Sequence, residues 1–522
     1  MSSQQQPMSY IILVKDQALR IQQENVEALN MISSIISSCL GPLSLQKLVL
    51  TKIGSLEITN DGHSILRELD VTHPAAKSIV ELARTQDDEV GDGTTSVIIL
   101  AAAIMRRMSK LLLKKYHPIK ICSVLSRALK YAVKCMNDNG VEIKNEEFIH
   151  RIVAGSVSTK ICSILGIDIA SLAIKAVDIV YDDLLVKKVD IKSLAKVEKI
   201  FTPGYSGSEV LNGVIINKTL IHPQMRKRIE NPRILIIDTP LEYKKGESQT
   251  NYEFHNEKDF TRALKIEEEQ IEEMCKKIIE MKPDMVVTEK GICDYAISLF
   301  YQNNITALRR FKKTETLRLS KCTGGLIGSR TEDLTERNIG TECSLFEYEK
   351  IGDEYYCKFI SKSPKACSVL LKGPSRDIIN ELERNFYDAV KVAKNIKLSP
   401  KMCVGGGATE MYVANELKKS NEFISSFEKE VVFEIAEAIK IIPSTLAKNS
   451  GVFDPLALMA ELEDKHMSDS FYGIDGVKGV VADMREIIVE PIAIKIQCLK
   501  SAIEAVILLL RVDGIIQSRK NK

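Results

Sequence analysis

The chain has 522 residues, 45% of them hydrophobic and 27% charged, with Lys+Arg 72 set against Asp+Glu 70. That length predicts roughly three or four domains with ordinary apolar cores. The near-neutral balance argues against nucleic-acid or membrane-surface binding driven by bulk charge, and no apolar run approaches the ~20 residues that span a bilayer.

The first ten residues, MSSQQQPMSY, are polar and lack the basic-then-apolar pattern of a signal peptide. Twelve cysteines are scattered singly from Cys39 to Cys498 with no C-x-x-C. Such spacing predicts reduced core thiols in a cytoplasmic protein, not a disulfide frame or zinc site. Residues 22–40 carry Val26, Leu29, Ile32, Ile35, Ile36, Cys39 and Leu40 at helical spacing, and Gly41-Pro42 stops the helix. Ile58-Thr-Asn-Asp-Gly62 ends a predicted strand, and helical patterns follow at 74–88, 97–115 and 119–136.

Between the first two of those patterns lies EVGDGTTSV (89–97). Glycine on both sides of Asp92 predicts a tight turn, with Thr94, Thr95 and Ser96 opening the helix that begins the apolar run Val97 to Met105. A Gly-Asp-Gly turn with a Ser/Thr cap is common by itself. It is also an anion site, because a helix start offers unpaired N–H groups and partial positive charge.

The middle of the chain changes character. Ile234–Ile237, Met285–Thr288, Ile305–Leu308 and Gly325–Gly328 are short apolar runs suited to buried strands, separated by helical patterns that include Asp259 to Lys282. This alternation predicts a parallel α/β module inserted into an α-rich one. Residues 242–258 are polar and charged, which fits either a solvated loop or a projecting arm. Gly204-Tyr-Ser-Gly-Ser208 has the wrong spacing for G-x-S-x-G and reads as a loop. Helical patterns resume at 426–441, 455–465 and 491–511, so both ends are α-rich and are expected to fold together.

Val404-Gly-Gly-Gly-Ala-Thr-Glu410 is another glycine turn before a helix. Three consecutive glycines imply close backbone approach to a ligand. Glycine turns at Gly41, Gly62, Gly93 and Gly406, two of them with an adjacent Asp, form a pattern suited to phosphate and Mg²⁺, which takes one or two carboxylates plus phosphate oxygens and water. Asp92 fits a metal ligand and Asp61 a residue that orients water. No Walker A occurs, and Ser96 stands where the third glycine of a dinucleotide fingerprint belongs.

The motifs CLGP (39–42), TNDG (59–62), HPAAK (73–77), EVGDGTTSV (89–97) and GGGATE (405–410) together resemble the group II chaperonin family, and the resemblance covers essentially the whole chain. It implies a multidomain α+β and α/β subunit. The α-helical equatorial ATPase domain would comprise 1–145 and 399–522, and an intermediate hinge domain 146–214 and 368–398. The inserted α/β apical domain would comprise 215–367, with a helical lid protrusion at about 242–275. ATP and Mg²⁺ are the implied cofactors. The implied partners are seven other related subunits, in two stacked rings of eight, and non-native clients such as actin and tubulin, with neither nucleic acid nor membrane involved.

The resemblance also assigns residues. Gly41, Gly93, Thr94, Thr95 and Ser96 would line the phosphates, with Asp92 on Mg²⁺. Ser158, Thr159 and Lys160 resemble a γ-phosphate-sensing loop, Gly406 would approach the nucleotide, and Gly476, Glu490 and Lys495 its adenine and ribose side. Asp61 and Asp388 resemble the pair that polarises the attacking water. The chain departs from the family pattern at His63, Val404 and Val477, all beside the nucleotide motifs. Two other functional classes remain open at this level: a ring subunit with weak or lost hydrolysis, and a small-molecule phosphotransferase, which would need an acceptor pocket and a base.

Overall fold

A computed structural model describes residues 17–50, 54, 56–143, 145–181, 191–202, 204, 207–243 and 257–515. The described residues fall into two units, one from Met1–Gly166 with Lys391–Lys522 and one from Ile167–Val390. The two ends of the chain therefore share one unit.

In the first unit the helix Thr94–Leu113 is central, with every residue from Val97 to Met105 buried. A helix apolar on all sides needs neighbours on all sides. Gln17–Ser37, Pro74–Val90, Ser426–Ile439 and Ile492–Leu510 supply them. Pro74 and Pro118 sit in the first turns of their helices, where a missing N–H costs nothing. A three-stranded antiparallel sheet pairs Lys401–Val404 with Val489–Pro491 on one side and Val141–Glu142 on the other. Two hairpins complete the unit, Lys47–Leu50 with Leu56–Thr59 and Tyr472–Asp475 with Val480–Asp483.

The second unit contains the expected α/β sheet. Ile234–Ile237, Met285–Thr288 and Thr306–Leu308 are parallel neighbours, and Ile339–Gly340 adds antiparallel to the first. Each of the three parallel strands is buried at every position, as continuous apolar runs require when both faces are covered. The helices Glu257–Glu280 and Asp294–Gln302 make the crossovers. A second sheet is antiparallel, in the order Gly213–Asn217, Glu354–Ser361, Cys343–Ile351, Arg228–Glu230. A third places Cys367–Gly373 parallel to Ala195–Phe201 and antiparallel to Glu209–Leu211.

One expected strand is absent. Residues 325–328 make a single bridge, Ile237 to Gly328, and Gly325 lies against the backbone of Asn338 and Gly340, where a side chain would not fit. Of the polar arm, residues 244–256 lie outside the described residues, as do Tyr205 and Ser206 of the 204–208 loop. The twelve cysteines are all unbridged, and all but Cys293 are buried. Among the described residues no helix is long and apolar enough to cross a membrane.

Candidate functional site

The first unit brings most of the sequence-predicted residues together at the start of its central helix. Asp61 is the N-cap of the helix Gly62–Glu68, where its Oδ2 accepts from the Ser64 N–H at 2.9 Å and the Ser64 hydroxyl at 2.8 Å. Its other oxygen accepts from the Thr94 hydroxyl at 3.1 Å, across 33 residues of sequence. Gly62 makes this approach possible, since a Cβ there would stand 2.9 Å from the Thr95 hydroxyl oxygen and 3.2 Å from its backbone nitrogen. Asn60 reaches outward from the same turn, donating to the Ser44 hydroxyl and the Thr159 carbonyl, both at 3.2 Å. The Ser158-Thr159-Lys160 loop thus borders the Asp61 turn. The Ser158 hydroxyl itself turns back to the Gly155 carbonyl, 2.8 Å away.

Gly91 and Gly93 both adopt left-handed backbone, with φ of 78° and 79°. Gly91 closes the helix Pro74–Val90, and Gly93 rather than a hydroxyl residue caps Thr94–Leu113 with no side-chain hydrogen bond. The expected Ser/Thr cap is therefore replaced by a bare one. The first N–H groups of the helix are without a capping side chain, the arrangement that receives an anion. Asp92 Oδ1 accepts from the Gly93 N–H at 2.7 Å.

The triple glycine repeats the device. Gly406 and Gly407 have φ of 65° and 78°, and Gly407 caps Ala408–Lys419, again with no side-chain bond. A Cβ on Gly406 would stand 3.0 Å from the Ile474 carbonyl, and one on Gly405 would stand 2.6 Å from Glu490 Oε1. Behind these glycines Lys495 bridges Glu410 Oε1 at 2.8 Å and Glu490 Oε2 at 2.9 Å. Burial would depress this lysine, but the two carboxylates hold it well above its ordinary range. The Gly41 turn, with φ of 99°, meets the second hairpin: a Cβ on Gly476 would press on the Pro42 ring at 2.7 Å. Asn449 fixes that turn by donating to the Ser37 and Leu40 carbonyls, both at 2.8 Å.

Residues 32–520 match the TCP-1/cpn60 chaperonin family. The chain is 56% identical over 522 residues to the T-complex protein 1 subunit gamma of Encephalitozoon cuniculi, covering 98% of this chain and 99% of that protein. The proteins of the same name from Schizosaccharomyces pombe and Mus musculus are 46% and 43% identical, over 95% and 97% of this chain and 95% and 94% of their own lengths.

The chain belongs to the TCP-1/cpn60 chaperonin family.

It is accordingly a chaperonin subunit, as the glycine motifs indicated, and the T-complex relatives are of the gamma type. The chaperonins are a family of ATPases, and the residues gathered here suit their nucleotide: two bare helix starts, glycine backbones with no room for a Cβ, and carboxylates at Asp61 and Asp92. Among the described residues no group of three or more His, Cys, Asp or Glu forms a metal cage. A Mg²⁺ ion would take most of its oxygens from phosphate and water, as this ion commonly does.

Asp388 lies apart from that description. It is half-buried on the helix Arg376–Leu398, within the second unit, four residues after Arg384. Burial lowers the Arg384 guanidinium's pKa, and the charge of Asp388 offsets this.

All three departures from the chaperonin pattern have a place, Val404 as a buried end of its strand whose carbonyl accepts from the Thr409 hydroxyl at 2.8 Å. His63 Nδ1 lies 3.5 Å from Asp87 Oδ2, while Lys391 donates to Asp87 Oδ1 at 3.0 Å and to its carbonyl at 2.7 Å. Val477 is exposed beside Gly476, and its backbone N–H donates to Asp475 at 3.0 Å. Burial pushes the Asp87 pKa up, but bonds from His63 and Lys391 outweigh it and bring the pKa down from 3.8 to about 2. A carboxylate depressed on folding contributes stability above its unfolded pKa and loses it as pH falls through the folded value. Here that is about 2–3 kcal/mol, at 1.36 kcal/mol per unit. The parent should exceed Asp87→Asn in urea stability by about that amount at pH 6, and the gap should close between pH 5 and 2. A gap independent of pH would contradict this. His63, raised mainly by its bond to Asp87, works in the opposite sense, contributing at low pH and losing its share as pH rises.

Sequence reasoning missed Gln86, Asp87, Glu410 and Asn449. Each acts through a partner distant in sequence or through a backbone group, and no local spacing marks such a role.

Proposed function

We propose that this chain is an ATP-hydrolysing subunit of a cytoplasmic, hetero-oligomeric, double-ring chaperonin. With seven related subunits per ring it would enclose non-native proteins such as actin and tubulin, and hydrolysis would drive lid closure. The observation that carries the nucleotide reading is the Thr94 to Asp61 bond, which sets a carboxylate beside the bare start of the central helix.

On this reading the N–H groups of Gly93, Thr94, Thr95 and Ser96, with the Gly41 turn, receive the phosphates. Asp92 holds Mg²⁺, which when bound neutralises phosphate charge and polarises the phosphoryl oxygens. Ser158, Thr159 and Lys160 border the γ-phosphate end, consistent with the Asn60 to Thr159 bond. Gly406 and Gly476 border the nucleoside, with Glu490 and Lys495 behind them on its adenine and ribose side. Asp61, held by Ser64 and Thr94, orients the attacking water and Asp388 completes the pair. The equatorial, intermediate and apical division is proposed on the same basis, with 215–367 as the client-binding domain and 242–275 as the lid protrusion.

The test is native mass and negative-stain imaging of the protein isolated from its own cells. Co-migration with related chains near a megadalton, as stacked eight-membered rings, is the expected result. A monomer of about 58 kDa as the sole native species would sink the proposal.

A further inference from the structure

Gln86 is 0% exposed, on the helix Pro74–Val90. A buried amide is normally there to bond something. Its backbone carbonyl accepts from the Gly91 N–H at 3.3 Å, which ends the helix. Its side-chain Nε2 donates to the Asp92 carbonyl at 3.0 Å, and its Oε1 has no hydrogen-bond partner among the described residues.

The Asp92 carbonyl and the Gly93 N–H belong to one rigid peptide plane. Gln86 grips one edge of that plane, and the other edge donates to Asp92 Oδ1 at 2.7 Å. Fixing the carbonyl therefore fixes the N–H, and the N–H fixes the carboxylate. Flanking glycines with φ of 78° and 79° cannot do this themselves, because glycine backbone is free to rotate. The space is also closed: a Cβ on Gly93 would stand 3.4 Å from both Gln86 Nε2 and Ile494 Cγ2.

We infer that Gln86 is a positioning residue for Asp92, and that its amide locks the Asp92–Gly93 peptide so that the carboxylate is pre-set to take a divalent cation. This rests on the assignment of Asp92 to Mg²⁺. Glutamate at position 86 would be the same shape with the donor lost and a charge buried against a carbonyl, so only the neutral amide serves. Groups that orient a metal ligand commonly change affinity by about 10–100-fold when removed.

The experiment measures equilibrium binding of a fluorescent ATP analogue to the full chain, titrated with Mg²⁺ and repeated in EDTA, alongside the thermal midpoint without nucleotide. Gln86→Met keeps volume and removes the donor, and Gln86→Asn keeps the amide but draws it back by one methylene. Both should raise the Mg²⁺ concentration for half-maximal binding by about 10-fold or more. Binding in EDTA and the thermal midpoint of Gln86→Met should stay near the parent's. An unchanged Mg²⁺ requirement in both variants, or equal loss of binding with and without Mg²⁺, overturns the inference. Asp92→Asn separates the two levels. If it leaves the Mg²⁺ requirement unchanged, the metal assignment itself has failed; if it raises the requirement and neither Gln86 variant does, only the role of Gln86 has.

Discussion

Asp388→Ala should bind ATP nearly as well as the parent and hydrolyse it about 10²–10⁴-fold more slowly, the usual cost of losing a positioned general base. The proposed phosphate and metal contacts come from Gly41, Asp92, Gly93 to Ser96 and Gly406, all in the first unit, while Asp388 belongs to the second. Asp92→Ala should behave differently and weaken Mg·ATP binding itself. The measurement is nucleotide occupancy with single-turnover hydrolysis, in assemblies where this subunit alone carries the change. Parental hydrolysis by Asp388→Ala, or a loss of ATP as severe as that of Asp92→Ala, would show the assignment to be wrong.

The second large effect is on stability. Lys495 is the only cation bonded to both Glu410 and Glu490 among the described residues, and Glu410 Oε2 is already buried without a hydrogen-bond partner there. Breaking a largely buried ion cluster from one side strands the remaining charge, at a cost of up to about 3–5 kcal/mol. Lys495→Met should therefore lower urea stability by that order. Adding Glu410→Gln should recover part of the loss, since the stranded charge falls by one. The two replacements would then be strongly non-additive, as partners in one network are. Equal stability of Lys495→Met and the parent, or simple additivity in the double variant, would mean that solvent reaches and screens the cluster.

These two residues also mark the limits of reading the chain unaided. Family resemblance assigns Lys495 and Glu490 to the nucleotide, and the sequence contains nothing that pairs Lys495 with Glu410, 85 positions away. By contrast, the helix Pro455–Lys465 and the strands Ile234–Ile237 and Met285–Thr288 fall where the periodicity and apolar runs put them. The helix expected over 426–441 is two, because Lys440 ends one at Ile439 and the next begins at Ile441. The strand expected at 325–328 is reduced to one bridge, and Gly325 there serves close backbone contact, which composition cannot distinguish from an apolar strand. The antiparallel sheet built on Cys343–Ile351 and Glu354–Ser361 has no clear apolar signature in the sequence, since its strands mix polar and apolar residues.

What the sequence determined alone were local matters: where helices start at proline, where glycine must turn, which face is apolar, and which motifs mark a chaperonin. Those depend on φ preferences and on side-chain period, both set within a few residues. The tertiary structure decided which turns share a site. Asp61 meets Thr94 and Gly476 meets Pro42 only because the helices pack around Thr94–Leu113, bringing turns from both ends of the chain together. Packing of this kind is a property of the whole apolar core, whose energy is spread over dozens of buried side chains and is assigned to no single motif.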